Sequence, residues 1–383
     1  YRTPEVLSTL VQGVDRKLGT NVEIVPYEMP VRASGYMGQG MSQQHRLVAG
    51  LSTVDMTCII RIILSLLVIF LAYDSISGER AAGTLRVILS NPVPRRVILL
   101  GKSLGGMSLI LAATIVAMLA SLVLLAFHPM LVLGSDEVLR FLGMVGISAL
   151  YLLFFFSLSL FVSVVADRPS TGLLWLLLIW LFVVILYPNL AVIIASNTSQ
   201  PPDERAIQQQ KKAAAEPYEA EKKQLENALS AALNNAQDEP LRNHLRRLEL
   251  DELQARAAHQ VDVAVSNTKG QQARLAQALA VLSPAALFDG AMTRLARTAP
   301  NSYEKFMESV ARYWDEYVAL SIAKVKNPDR AAARAQSMPA FACARESVAE
   351  SAVATIPAAA ILFAVSTILF MATVVRFTSK DVR

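Results

Sequence analysis

The chain has 383 residues, of which 54% are hydrophobic and only 17% are charged, and its mean hydropathy is +0.41. Soluble domains carry about 25% charged residues, so this composition excludes an ordinary soluble protein and indicates a membrane protein. The net charge is only +5, and there is no basic face interleaved with aromatic residues of the kind that binds nucleic acid.

The first 51 residues are polar and mixed in character. Pro4–Leu18 has a helix-like pattern, and a short β-branched run, Asn21–Val25, ends at Pro26. Proline removes a backbone donor and fixes its own backbone angle, so it ends such a run. We predict that residues 1–51 form a loop outside the membrane.

Five apolar runs reach the length of about 20 residues that a membrane-spanning helix requires. Each is apolar all round, which distinguishes it from an amphipathic helix of a soluble protein. The runs are Met56–Tyr73, Val97–Phe127, Phe141–Ala166, Gly172–Ala195 and Ala352–Val375. The predicted fold class is therefore an all-α integral membrane protein, with a transmembrane region at 52–196 and a last span with its tail at 351–383.

The connector at 77–97 is unusually basic and rich in proline. It lies in the stretch GERAAGTLRVILSNPVPRRVILLGK, from Gly78 to Lys102. The apolar residues between Glu79 and Leu89 predict a short helix with one apolar side, and Pro92 and Pro94 forbid its continuation. Such a helix lies along the membrane face and either inserts into a groove of a partner or binds anionic lipid headgroups through its arginines.

Basic residues in short loops indicate the cytoplasmic side of a membrane. The 77–97 connector and the tail after the last span are basic, whereas the connector His128–Glu137 holds two acids and no lysine or arginine. The connector and the C-terminus are therefore predicted to be cytoplasmic. Five spans then place Tyr1 outside, so we expect a sixth span upstream of Tyr1.

Residues 197–350 form a predicted helical domain outside the membrane. Between residues 200 and 350 there are 20 Lys and Arg against 20 Asp and Glu, and good helix formers dominate. Two long helices, Asp203–Ala236 and Leu241–Leu282, predict an antiparallel hairpin, and Ser283–Lys326 predicts a compact helical base near the membrane surface. The free charged faces over Asp203–Leu282 suggest a partner outside the membrane, although a folded-back bundle without a binding role explains the same pattern.

Two arginines and two cysteines lie close to the predicted outer ends of the spans. Arg61 and Arg140 are expected to reach the headgroup region, since long cationic side chains extend to the interface in this way. The alternative for Arg61 is that it lines a path between the spans. Cys58 and Cys343 are too few for a disulfide framework or a cysteine zinc site. We expect Cys58 to pack as a small apolar side chain without a bridge to Cys343.

The connector resembles the first cytoplasmic loop of type-2 ABC (ABC-2) transporter permeases. That loop has an acidic residue, a G-T-L triplet, a short apolar turn, a proline-containing break, an arginine pair and a G-K that opens the next span. The corresponding residues are Glu79, Gly83, Thr84, Leu85, Val87–Leu89, Asn91–Pro94, Arg95, Arg96, Gly101 and Lys102. The large domain before the last span, with Ser283–Phe288 and Tyr303–Phe306, is similar to a branch that includes permeases linked to gliding motility and to nitrous-oxide-reductase maturation.

The resemblance implies that this chain is the permease subunit of an ATP-driven exporter in a bacterial inner membrane. It would work with a second permease subunit and with separate ATPase subunits, which bind ATP and Mg. The short helix would be the coupling helix, which seats in a cleft of the ATPase. The residues that it implies for this contact are Glu79, Arg80, Gly83, Thr84, Leu85, Arg86, Leu89, Pro92, Arg95 and Arg96.

No constellation of catalytic residues is visible, so this chain is predicted not to be an enzyme and to bind no cofactor or metal itself. Gly101-Lys102-Ser103 is similar to the end of a P-loop, but the first glycine of that motif would fall at Arg96, and a membrane span follows. The alternative function is a non-transporting membrane anchor whose outer helical domain organises an envelope complex.

Overall fold

The computed structural model describes residues 5–13, 55–90, 93–127, 134–198, 278–326 and 341–379, with scattered positions between 205 and 276. In these ranges the protein is helical, and no strand occurs in them. The helices are α1 (Met56–Ala81), α2 (Thr84–Ser90), α3 (Arg95–Ala126), α4 (Ser135–Val165), α5 (Pro169–Thr198), α6 (Pro284–Leu295), α7 (Pro300–Lys326) and α8 (Val348–Ser379).

The five predicted spans are confirmed as α1, α3, α4, α5 and α8, each long and apolar enough to cross a membrane. The helices extend beyond the apolar runs because local signals set their ends. Pro94 precedes α3, and Pro169 occupies the first turn of α5, a position where proline loses no hydrogen bond. Asp136 and Glu137 lie in the first turn of α4, where negative charge is favourable.

α4 is the central helix of the bundle. In its most apolar stretch 67% of the residues are buried, against 33% in α1 and 17% in each of the other three spans. Its aromatic residues Tyr151 and Phe155 are both fully buried. The outward faces of α3, α5 and α8 carry many exposed large hydrophobic side chains, as expected for helices that face lipid or another subunit.

α6 packs among the spans rather than above them, which differs from the surface position predicted for it. The ring of Phe288 stacks on that of Tyr151 with centroids 4.5 Å apart and an interplanar angle of 19°. Tyr151 lies ten residues along α4 from Phe141, where the apolar run begins, a distance of about 15 Å along the helix. α6 therefore packs alongside the apolar run of α4, about three helical turns from where that run begins.

Two spans contain a π-helical segment, and both segments contact α6. They are Ile59–Leu64 in α1 and Leu181–Leu186 in α5. A π-helical turn shifts the hydrogen-bond register and leaves backbone carbonyls open to other donors, and such turns occur often at functional sites. Here the carbonyl of Val183 accepts a hydrogen bond from Ser283 Oγ at 2.9 Å, immediately before α6 begins.

The N-terminal helix predicted over Pro4–Leu18 is wrong in the part that the structure describes. Only Val6–Thr9 is helical, as a single 3-10 turn, and the chain then leaves the helix. Gly13 takes a φ of +50°, and a Cβ there would lie 2.3 Å from the Thr298 carbonyl oxygen. The run Asn21–Val25 and the two hairpin arms lie outside the described residues, apart from scattered helical positions in the arms.

Candidate functional site

The segment between α1 and α3 lies at one end of the bundle, called here the α2 end. The sequence predicts one short helix between Glu79 and Leu89, whereas the structure contains two helical pieces separated at Gly83. Gly83 takes a φ of +74°, and its N–H donates to the carbonyl of Arg80 at 3.2 Å. Glycine adopts this left-handed conformation without steric penalty, so it ends α1 and lets α2 start in a new direction.

The apolar side of α2 faces the spans. Leu85 is 1% exposed. It belongs to a buried cluster formed with Ile76, Leu99, Val164 and Phe377. Leu89 packs against the same cluster. These two residues of the predicted site therefore join α2 to the ends of α1, α3, α4 and α8.

The opposite side of α2 is open. Val87 is 68% exposed, and Thr84, Arg86 and Ser90 are exposed as well. A Cβ added at Gly83 would meet nothing within 4 Å. Gly83, Thr84, Arg86, Val87 and Ser90 are called the α2 surface below.

Arg80 points into the bundle. Its Nη1 donates to the Ala166 carbonyl at 3.1 Å, and its Nη2 donates to the Val164 carbonyl at 3.2 Å. The last carbonyls of a helix have no partner within the helix, and a cation at that end is favoured by the helix dipole. Arg80 thus fastens the end of α1 to the end of the central helix α4.

A second contact at the end of α1 joins Glu79 to Lys102, a residue that the sequence analysis did not include among those expected to contact the ATPase. Lys102 Nζ lies 2.5 Å from Glu79 Oε2 and also donates to the Ser75 carbonyl at 2.5 Å. Ser163 Oγ of α4 accepts from the backbone N–H groups of Ile76 and Ser77, both at 3.1 Å. The end of α1 is therefore tied to both α3 and α4.

The remaining predicted residues lie at the start of α3. Arg95 donates to the Thr378 carbonyl of α8 at 3.3 Å, whereas Arg96 is exposed. Pro92 lies outside the described residues. The predicted set is thus brought to one end of the bundle, but it divides into an exposed group and a group that holds helices together.

At the opposite end of the bundle, called the α6 end, Arg61 forms an ion pair with Asp289 of α6. The carbonyl of Arg61 accepts from Tyr151 Oη at 3.0 Å and from Ser65 Oγ at 2.5 Å. Ser65 Oγ in turn accepts from Trp180 Nε1 at 2.9 Å. The guanidinium of Arg61 is thus paired with the carboxylate of Asp289, a partner that the sequence analysis did not expect for it.

Arg140 is not interfacial. It is 1% exposed and binds three groups from two other helical regions. It donates to the Leu295 carbonyl at 3.2 Å, to Ser351 Oγ at 2.8 Å and to the Glu346 carbonyl at 2.7 Å. Arg140 therefore joins α4 to the end of α6 and to the start of α8.

The turn after α6 adds a further link at this end. Arg297 takes a φ of +59°, a conformation that costs a side-chain-bearing residue about 1–2 kcal/mol. Its side chain donates to Glu5 Oε2 at 3.2 Å and to the Glu346 carbonyl at 3.0 Å. These contacts offset the backbone cost and bind the N-terminal turn to the α6 end.

Comparison with known proteins agrees with this arrangement. The family model described as "ABC-2 family transporter protein" matches residues 15–382, almost the whole chain. The chain belongs to the ABC-2 transporter family. It is therefore a multi-pass membrane protein.

This ABC-2 protein is also similar to a curated relative. It is 34% identical over 141 residues to the probable ABC transporter permease protein NosY of Pseudomonas aeruginosa. The match covers 36% of this chain and 50% of the relative, so the chain spans about half the length of the curated relative that it matches.

The ABC-2 protein holds no cluster of His, Cys, Asp or Glu that could bind a metal ion in the ranges that the structure describes. The GKS triplet does not form a phosphate-binding loop, because Gly101 to Ser103 are part of α3 and Lys102 is engaged with Glu79. Cys58 and Cys343 are both partly exposed and are not bridged to each other.

Proposed function

We propose that this ABC-2 protein is the permease subunit of an ATP-driven exporter, and that the α2 surface is the contact through which a separate ATPase subunit drives it. In this proposal ATP and Mg are bound by the ATPase, and the permease has a mechanical role. Two copies, or this chain and a second permease, form the transport path in a bacterial inner membrane, with the α2 end in the cytoplasm.

One observation carries the proposal: α2 is open on one side and fastened to the spans on the other. Arg86 and Val87 are available to a partner, whereas Leu85 is buried and Arg80 holds the end of α4. A force applied to the open side is therefore transmitted to the central helix. An interfacial helix that only bound lipid headgroups would not need a side chain such as Leu85 buried among the ends of four spans.

The similarity to a protein named as a probable ABC transporter permease supports the same function. The alternative, a non-transporting anchor, makes a different prediction about partners. The affinity-tagged protein, extracted in mild detergent together with the products of neighbouring genes, is expected to carry an ATP-binding-cassette subunit in a fixed ratio. Recovery of envelope proteins without any ATPase would contradict the exporter function and favour the anchor.

We also propose that the large domain before α8 lies outside the membrane, as in the branch that the sequence resembles, and that Asp203–Leu282 binds a partner there. Ordering a residue costs about 1–2 kcal/mol of backbone entropy. Because a short loop could join α5 to α8 at far lower cost, a segment of this length is expected to have a binding role.

Deleting 217–261 tests this proposal. The deletion is expected to preserve insertion and ATPase binding, since the α2 surface lies at the opposite end, and to abolish export or assembly of the outer complex. A deletion strain that exports normally would contradict the proposal.

A further inference from the structure

α6 is held in the bundle by two kinds of contact. Its apolar side is fully buried against the spans, with Phe288, Ala291 and Met292 at 0–2% exposure. Two of its polar contacts lie at the π-helical segments: Ser283, just before α6, binds the Val183 carbonyl in α5, and Asp289 binds Arg61 in α1. Two others join the far end of α6 to α4 and α8, through Arg140 and Arg294. α1 and α5 therefore contact α6 at points where their own helical geometry departs from the α-helix.

The Arg61–Asp289 pair lies on the less buried edge of α6. About a third of each side chain is exposed, 32% for Arg61 and 30% for Asp289. Gly290 beside it is exposed, whereas Ala291 on the other side of α6 is 2% exposed. The pair therefore borders a surface of the bundle and closes over a buried apolar contact.

The pair is not saturated by other interactions. Arg61 Nε and Asp289 Oδ1 have no hydrogen-bond partner in the described part of the chain. An ion pair built for static stability needs its remaining hydrogen-bonding groups satisfied, because desolvation otherwise exceeds the attraction. Charged residues within spans are rare, and they mark pathways and moving parts more often than fixed structure.

We propose that Arg61 and Asp289 form a latch that holds α6 closed against α4, and that the latch opens when the α6 end of the bundle opens. The structure then represents the closed state, with Phe288 stacked on Tyr151. The π-helical segments are the points at which α1 and α5 adjust as α6 leaves. The coupling of this opening to ATP rests on the proposed exporter function, whereas the holding role of the pair does not.

The first test measures how well α6 is sealed without any ATPase. In a Cys58→Ser, Cys343→Ser background, Ala291→Cys places a thiol on the buried side of α6 with little change in volume. The rate of its reaction with a membrane-impermeant maleimide is measured in lipid nanodiscs. With the pair intact, labelling is expected to be slow.

Arg61→Gln and Asp289→Asn are each expected to raise the rate of maleimide labelling at least tenfold. Exchange of the two charges, Arg61→Asp with Asp289→Arg, is expected to return the labelling rate towards the parent value. Lys305→Gln is the matched control. It breaks ion pairs with Glu350 at 3.0 Å and with Glu346 at 3.6 Å at the same end, without touching Arg61 or Asp289, and it should leave the rate unchanged. Single variants that label at the parent rate, or an exchange variant that labels as fast as they do, would overturn the latch.

The second test keeps the pair intact and asks whether the latch moves. The Ala291→Cys protein, in complex with its ATPase, is labelled without nucleotide, during ATP turnover and after trapping with vanadate. Labelling is expected to rise in at least one nucleotide state. Equal labelling in all states of a complex that hydrolyses ATP would overturn the latch, while failure to obtain any ATPase complex would count against the exporter function and leave the first test valid.

Discussion

Under the proposed exporter function, replacing Arg80 by glutamine is expected to uncouple this ABC-2 protein from the ATPase subunit. The change removes both hydrogen bonds from the end of α1 to the Val164 and Ala166 carbonyls of α4. A hydrogen bond from a charged group is worth about 1.5–3 kcal/mol, so the link loses roughly 3 kcal/mol or more. Because the α2 surface is unchanged, the ATPase should still bind, but its stimulation by the permease should fall by about tenfold or more.

The measurement compares ATP hydrolysis and binding in the same purified complex. Arg376→Gln is the matched control, since it removes one positive charge from an exposed side chain at the same end of the bundle. Arg80→Lys should recover only part of the coupling, because an ammonium group cannot present the planar fork of a guanidinium to two carbonyls. Full stimulation by Arg80→Gln would show that α4 does not receive the movement through this residue.

Replacing Arg140 by methionine is expected to destabilise the protein strongly without touching the α2 end. The Leu295 carbonyl and Ser351 Oγ each lose a donor in a buried site, whereas the Glu346 carbonyl keeps its bond from Arg297. Each unsatisfied buried group costs about 1–3 kcal/mol, so the two together give a loss of about 2–6 kcal/mol. An unfolding entropy of about 2 cal/mol/K per residue then predicts a fall of about 2–7 °C in the unfolding midpoint of this 383-residue chain.

Arg294→Met is the comparison for this variant. Arg294 lies nearby on α6 and donates one hydrogen bond, to the Ala354 carbonyl at 2.7 Å. Its loss is expected to cost about 1.5 kcal/mol, the low end for a bond from a charged group, because the site is only partly buried. Thermal unfolding in one detergent, followed with both variants and the parent, distinguishes the two. Equal midpoints for the two variants would contradict the central role given to Arg140.

The spans could be predicted from the sequence because a membrane imposes a length and an all-round apolar composition that few other structures share. The roles of the charged residues in them could not. Arg61 and Asp289 are 228 positions apart in the chain, and Arg140 and Ser351 are 211 apart. No local sequence pattern relates residues so far apart. From the sequence alone, an isolated arginine near the end of an apolar run therefore indicates a side chain at the membrane–water interface.

The connector gives a similar contrast. Its residue pattern predicted a short amphipathic segment ended by the prolines, but it did not predict the separation at Gly83. The pattern could not show which side of the helix would be open, because Leu85 and Val87 are both apolar. In the structure Leu85 is 1% exposed, whereas Val87 is 68% exposed. Arg80 also belongs to the motif by position, but its partners lie at the end of α4.

The central claim is that the α2 surface contacts the ATPase subunit, and site-specific photocross-linking tests it most directly. A photoreactive amino acid at position 87 of the permease, in the complex obtained by co-purification, is expected to link covalently to the ATPase. The same probe at exposed Asn301, at the α6 end, is expected not to do so. A complex in which position 301 links to the ATPase and position 87 does not would contradict the account.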